Sequence, residues 1–259
     1  MPDNSVLLEV RENVAHVTLN RPQAGNSLDL EMAKELADVS LECESNRGVR
    51  AVLIKGAGNT FSAGGDVKAF AAQQDLSRYL RDMTPHIHLA VSRLVRLDAP
   101  VIAAVEGAAA GFGFSLAISC DLVLAAESAI FVMAYTKIGL APDGGSTYSL
   151  PRLVGMKRAL ELTLTNRRLS AAEAREWGLV TEVVAPALLA ARAEELARSL
   201  AQGPTGAFGS AKRLLHGSWS QTLETQMELE SRAIAEAGGA ADGQEGIRAF
   251  VEKRKARFE

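Results

Sequence analysis

Residues 101–126 read VIAAVEGAAAGFGFSLAISCDLVLAA. Val101–Val105 is a β-rich apolar run, Gly107–Gly113 is a turn of small residues, a short helix-like stretch follows, and Leu122–Ala125 is β-rich again. Strand, helix and strand in so short a span point to parallel strands joined by a right-handed crossover. Glu106 and Asp121 interrupt the apolar character, whereas a membrane helix needs about 20 consecutive apolar residues. The segment is expected in the core of an α/β protein with no membrane partner.

The alternation continues outward. Val6–Val10 and Val14–Leu19 predict a hairpin around Arg11–Asn13, and Ala51–Ile54 predicts a strand ending at Gly56. Between them Leu30, Ala33, Leu36, Ala37 and Leu41 fall on one helical face. Leu80, Met83, Ile87, Val91, Leu94 and Val95 keep the same period in a helix over Leu76–Leu97. From Gly155 onward the pattern is helical, and no strand is expected. Ser170 and Glu173 form a capping box, with Gly178 closing that helix. Further helices are predicted over Pro186–Leu200, Pro204–Leu215, Gln221–Ala237 and Asp242–Arg257, the last with Ile247, Phe250 and Val251 on one face. Residues 1–200 are expected to form the catalytic core, and 201–259 a helical region that packs on a neighbouring subunit.

A net charge of −3 gives no basic surface for nucleic acid, so any anionic ligand must be held by local donors. Cys43 and Cys120 lack paired spacing. They fit buried thiols in a reducing cytoplasm rather than a disulfide or a zinc site. The opening MPDNSVLLEVREN has no basic start followed by an apolar run, so no secretory leader is expected. No ligand cluster or flavin signature is evident, and neither a metal nor a redox cofactor is expected.

Three glycine-rich segments could carry chemistry: FSAGGDVK (61–68), GAAAGFG (107–113) and IGLAPDGG (138–145). Each lets backbone approach a ligand and offers N–H groups at a helix start. Two such groups converging on a thioester carbonyl would stabilise an enolate. Taken singly, each also reads as a structural turn. Asp143 in Pro-Asp-Gly-Gly is then a turn residue, Lys68 a solvated lysine, His88 a partly exposed helix histidine, and His86 a surface residue.

Together, FSAGGDVK, GAAAGFGFSLAISCDLVLAAESAIF and IGLAPDGGSTYSLPRLVG resemble the signature regions of the crotonase (enoyl-CoA hydratase/isomerase) superfamily. The resemblance runs from RPQAGNSL (21–28) to AFVEKRKARF (249–258). It implies a spiral of β–β–α repeats, a helical carboxy-terminal trimerisation region, and a homotrimer or dimer of trimers. It also implies acyl-CoA thioester substrates, with coenzyme A part of the substrate rather than a cofactor. The oxyanion donors would be the N–H groups of Gly65 and Phe112, with Gly111 beside them. Ala63 and Lys68 would line the nucleotide, and Phe250 and Lys253 would reach a neighbour's coenzyme.

Departures from the family pattern decide the expected chemistry. Hydratases use two glutamates, at positions that here hold Ser115 and Tyr135, so hydration is disfavoured. Asp143 falls where family isomerases carry their acid/base aspartate. FVMAYTKIGLAPD, LPRLVG and AFVEKR resemble 1,2-epoxyphenylacetyl-CoA isomerases. Tyr135 and Phe114 are candidates for the acyl pocket. A rival reading rests on TYSLPRLVGMKRALELTLTNRRL and EWGLV, which resemble 4-chlorobenzoyl-CoA dehalogenases. There Asp143 would be a nucleophile and His88 the base, although Ile87 and His86 replace an aromatic pair and Tyr135 replaces a tryptophan. A third reading is a non-catalytic acyl-CoA-binding protein.

Overall fold

The computed structural model describes residues 4–258, so Met1–Asp3 of the stretch read for a leader lie outside it. Strands β1 (Val6–Arg11) and β2 (Val14–Leu19) form the expected hairpin. Its two-residue turn places both Glu12 and Asn13 at positive φ, the geometry that matches the twist of the flanking strands. Strands β3 (Ala51–Gly56), β4 (Val101–Val105), β6 (Leu122–Ala126) and β9 (Glu182–Val184) continue the sheet in the order β1-β2-β3-β4-β6-β9, all parallel after the hairpin.

Both faces of this sheet are covered, so its strands bury side chains on alternate sides. Leu53, Ile102, Ala104, Leu124 and Ala126 meet α8 (Pro186–Ala201) through Leu189, Ala193 and Ala197. Val52, Ile54, Val101, Ala103, Val105, Val123 and Ala125 face the main core with α1 (Leu30–Ser45), α3 (Leu76–Arg96) and α4 (Phe112–Ser119). Helix α1 buries Met32, Ala33, Leu36, Ala37, Ser40 and Cys43. Leu41 lies off that face and is exposed, contrary to the spacing argument. Helix α3 buries Met83, Ile87, Ala90, Val91 and Leu94, as its period predicts.

A second sheet is absent from the sequence reading. Strands β5 (Ala108–Ala110), β7 (Ile130–Val132) and β8 (Leu169–Ser170) pair in the order β5-β7-β8. Ser62 joins them by a bridge to Ala109, and Leu28 bridges Gly65. Strand β4 is thus followed by β5 and strand β6 by β7 in the second layer, while β2 and β3 are followed by the bridges at Leu28 and Ser62, which winds the chain into a spiral. Because β8 and β9 lie beyond Gly155, the expectation of a purely helical remainder is corrected. Phe114 is also corrected: it is fully buried and meets Phe131 edge-on, so it fills the core rather than an acyl pocket.

Between the two sheets and the tail lie α2 (Val67–Ala71), α5 (Ser146–Val154), α6 (Met156–Thr165) and α7 (Ala171–Glu176), the last with the capping box of Ser170 and Glu173 formed in both directions. Helices α9 (Thr205–Gly217), α10 (Leu223–Gly239) and α11 (Ala241–Val251) follow α8. Helix α11 stops short of the predicted Arg257. Lys253 turns the chain at positive φ, and Arg254 pairs in both arms with Glu245 at 2.6 and 2.8 Å. The predicted face of Ile247, Phe250 and Val251 points outward; Phe250 is 85% exposed. No helix among the described residues is long and apolar enough to cross a membrane.

Candidate active site

Two loops from successive turns of the spiral meet backbone to backbone. A Cβ on Gly64 would lie 2.9 Å from the Ala110 carbonyl oxygen and 3.3 Å from the Gly111 Cα. Both glycines also hold positive φ, +101° and +51°, which a side chain would strain. Gly65 and Phe112 are the residues that follow this contact on the two loops. Among the described residues neither N–H of that pair donates a hydrogen bond. Gly65 is bracketed instead: Leu28 donates to the Gly64 carbonyl and accepts from the Asp66 N–H. Phe112 is the first residue of α4, where an N–H has no partner within the helix. Such a pair can bind an oxygen anion.

Asp66 anchors the first loop. Its carboxylate caps α2 through the N–H groups of Lys68 and Ala69 and meets Arg21 at 3.0 Å, while Arg21 also holds Asp29 at 2.9 Å. Burial works against its charge, but these partners keep the Asp66 carboxyl below its ordinary value. Ala63 lies on the outer side of the same loop, its N–H bonded to Gly25, and Lys68 stands exposed on α2. Gly111 donates to the Val132 carbonyl at 3.0 Å. Phe250 and Lys253 are exposed at the end of α11.

Asp143 occupies the turn before α5. A Cβ on the following Gly144 would press on the Phe112 ring at 3.0 Å and on Ser115 at 3.1 Å, so the loop sits directly on the start of α4. On the other side Val91 of α3 lies under Gly145. One turn earlier along α3, at the border of its buried face, His88 places Nε2 at 2.6 Å from Asp143 Oδ1. The two side chains are 56% and 29% exposed, so Asp143 has a polar partner and not the wholly apolar pocket expected of it. His86, expected at the surface, is half-buried.

The Asp143 carbonyl gathers three hydroxyls. Ser115 and Ser146 approach it at 2.9 Å and Tyr135 at 3.2 Å, with Ser115 and Tyr135 2.9 Å apart. Burial pushes the Tyr135 phenol well up; the Ser115 hydrogen bond opposes that shift, and the Asp143 charge adds to it. Ser146 was not foreseen as part of the site, although Asp-x-x-Ser across a helix start is a signal for such a bond. No three His, Cys, Asp or Glu side chains gather at metal-binding spacing among the described residues. Cys43 is buried, its thiol pushed up to about 12 by burial, and Cys120 is half-buried and shifted the same way.

Residues 9–259 match the family described as Enoyl-CoA hydratase/isomerase. The chain belongs to that family. It is 41% identical over 258 residues to 1,2-epoxyphenylacetyl-CoA isomerase of Escherichia coli (strain K12), covering 98% of this chain and 97% of the relative. It is 33% identical over 253 residues to 4-chlorobenzoyl coenzyme A dehalogenase-2 of Arthrobacter sp, covering 97% and 92%. The crystal structure of an enoyl-CoA hydratase from Polaromonas sp. JS666 superposes with a TM-score of 0.93 at 33% identity, covering 98% of this chain and 99% of that one. The spiral is therefore the crotonase fold, with its carboxy-terminal helices.

The buried phenol carries a pH signature. Unfolded tyrosine loses its proton near pH 10, whereas folded Tyr135 retains it. Its contribution is present in full below pH 10 and is withdrawn as pH rises past that value. The raised thiols act in the same direction from pH 9. Urea unfolding at neutral pH and above pH 10 is expected to show a shallower alkaline loss of stability in Tyr135→Phe than in wild type; equal losses would contradict the burial of this hydroxyl.

Proposed function

We propose that this member of the family is an acyl-CoA isomerase. The observation that carries the reading is the Asp143 carboxyl, set 2.6 Å from His88 on a loop packed against Phe112, while hydroxyls of Ser115 and Tyr135 stand where hydratases use glutamates. Asp143 as carboxylate takes a proton from a carbon of the acyl chain. The electron pair moves to the thioester oxygen, where the N–H groups of Gly65 and Phe112 hold the enolate. The carboxylic acid then returns the proton to a different carbon, and the double bond has moved with no net change in atoms. Ala63 and Lys68 hold the coenzyme's nucleotide in this reading, with Gly111 beside the thioester. The 41%-identical isomerase relative supports an aromatic-derived acyl group as the natural substrate class.

A second reading has its own support in the His88–Asp143 contact and in the dehalogenase relative. Asp143 would attack a halogen-bearing ring carbon and expel halide, and His88 would activate a water to hydrolyse the aryl ester.

The carboxy-terminal helices expose Trp219, Leu223, Ile234, Phe250 and Val251, each more than half accessible. Apolar exposure on this scale marks an association surface, and we assign it to contacts between copies in a trimer or dimer of trimers, where Phe250 and Lys253 would meet a neighbour's coenzyme.

Three measurements check these statements. Asp143→Asn is expected to slow conversion of 3-hexenoyl-CoA to its conjugated isomer by at least about a hundredfold, the usual scale for removing a general base; an unaffected rate sinks the assignment. His88→Gln with 4-chlorobenzoyl-CoA is expected to show no added mass on the intact protein, and an aryl adduct on Asp143 would establish the second reading instead. Light scattering is expected to give a mass three or six times that of the 27.5 kDa chain, and a monomer would refute the assembly.

A further inference from the structure

Behind the Asp143 carboxyl, three hydroxyls and one carbonyl form a closed cluster. Ser115 and Ser146 are fully buried and Tyr135 is half-buried. Each hydroxyl carries a single hydrogen. Ser146 directs its hydrogen to the Asp143 carbonyl, the acceptor at 2.9 Å. Ser115 and Tyr135 have two hydrogens between them and four acceptor oxygens: the Asp143 carbonyl, each other's hydroxyl, and the Gly111 carbonyl at 3.3 Å from Ser115. If Ser115 donates to the Asp143 carbonyl, Tyr135 donates to Ser115. If Tyr135 donates to the carbonyl, Ser115 donates to Tyr135 or to Gly111. Both hydrogens thus find acceptors inside the cluster, and neither hydroxyl needs a substrate to satisfy it.

Two further observations single out this cluster. Ala134, immediately before Tyr135, is held at φ +58°. That left-handed conformation is unfavourable in a residue with a side chain, and here it leads into the residue whose hydroxyl reaches the Asp143 carbonyl. The peptide joining Asp143 to Gly144 is also confined by packing, since a Cβ on Gly144 would press on the Phe112 ring at 3.0 Å and on Ser115 at 3.1 Å. One peptide plane is thus fixed by hydroxyls and by packing at once.

We propose that Ser115 and Tyr135 are positioning residues for Asp143. By holding its carbonyl, they set the direction of its carboxyl relative to His88 and to the N–H groups of Gly65 and Phe112. They do not transfer protons, and the Tyr135 hydroxyl does not contact the acyl group. The proposal rests on the reading of Asp143 as the acid/base. The family's two water-handling glutamates are thereby exchanged for a pair that immobilises a third carboxylate.

The test compares wild type, Tyr135→Phe, Ser115→Ala, the double variant and Asp143→Asn, with 3-hexenoyl-CoA as the probe and melting temperatures taken throughout. Tyr135→Phe removes one oxygen and is the variant least able to fail by misfolding. Misplacing a catalytic group by about 1 Å can cost about a hundredfold in rate, so each single variant is expected to lose about ten- to a hundredfold in kcat with KM unchanged. The double variant is expected to lose less than the product of the single losses, because the two hydroxyls share one network. Its crystal structure is expected to show Asp143 withdrawn from His88. Four results would overturn the proposal: full kcat in both single variants, a raised KM at constant kcat, loss of the alkaline limb of the kcat profile in Tyr135→Phe alone, or an unmoved His88–Asp143 contact in the double variant. The crystallographic result stands whether or not the probe is turned over. Full turnover in Asp143→Asn would refute the acid/base reading itself, whereas an inactive Asp143→Asn beside fully active Tyr135→Phe and Ser115→Ala would refute the positioning role alone.

Discussion

The backbone contact between Gly64 and Gly111 is the constraint on which the site depends. It joins two loops that belong to different turns of the spiral, and it leaves no room for a side chain at Gly64. The Ser62–Ala109 bridge and the Leu28–Gly65 bridge hold the loops in register on either side. The Arg21 bridge between Asp29 and Asp66 ties the first loop to the start of α1. If the two N–H groups form the proposed anion site, the residue at position 112 can be phenylalanine without loss of its donor. Its ring is then free to serve as the seat for Gly144.

That seat joins the Asp143 loop to the start of α4. Asp143 is reached from α3 by His88, from α4 by Ser115, and from the helix that follows it by Ser146. In the proposed isomerase reading the Asp143 carboxylate leaves one carbon and approaches another, and small errors in distance carry large penalties in rate. Hydroxyl groups suit the task of fixing it. They satisfy a buried carbonyl without adding charge, whereas a second buried carboxylate beside Asp143 would repel it.

Much of the architecture was legible because it repeats. The period of α3 and the apolar runs of β2, β3, β4 and β6 could be read directly from residue spacing. The second sheet could not, since Ala108–Ala110 and Ile130–Val132 are too short to show alternation and exist through their pairing across turns of the spiral. The end of α11 was misjudged for a related reason. Residues 252–257 are good helix formers, but Arg254 and the Arg257 N–H fold back onto Glu245, a contact that spacing does not encode. At the site, the glycine loops and Asp143 were visible only as an ordered set resembling a known family. Ser115 and Tyr135 could be singled out in the sequence, but their meeting with Ser146 could not, because the three come from separate elements and converge on a main-chain atom.

The central claim is that Asp143 moves protons on an enolate held by Gly65 and Phe112. Deuterium incorporation from heavy water into a panel of acyl-CoA thioesters, with wild type beside Asp143→Asn, tests it most directly. The account predicts deuterium in the acyl group with wild type and its loss in the variant. Equal incorporation in both, or none with any thioester that binds, would contradict it.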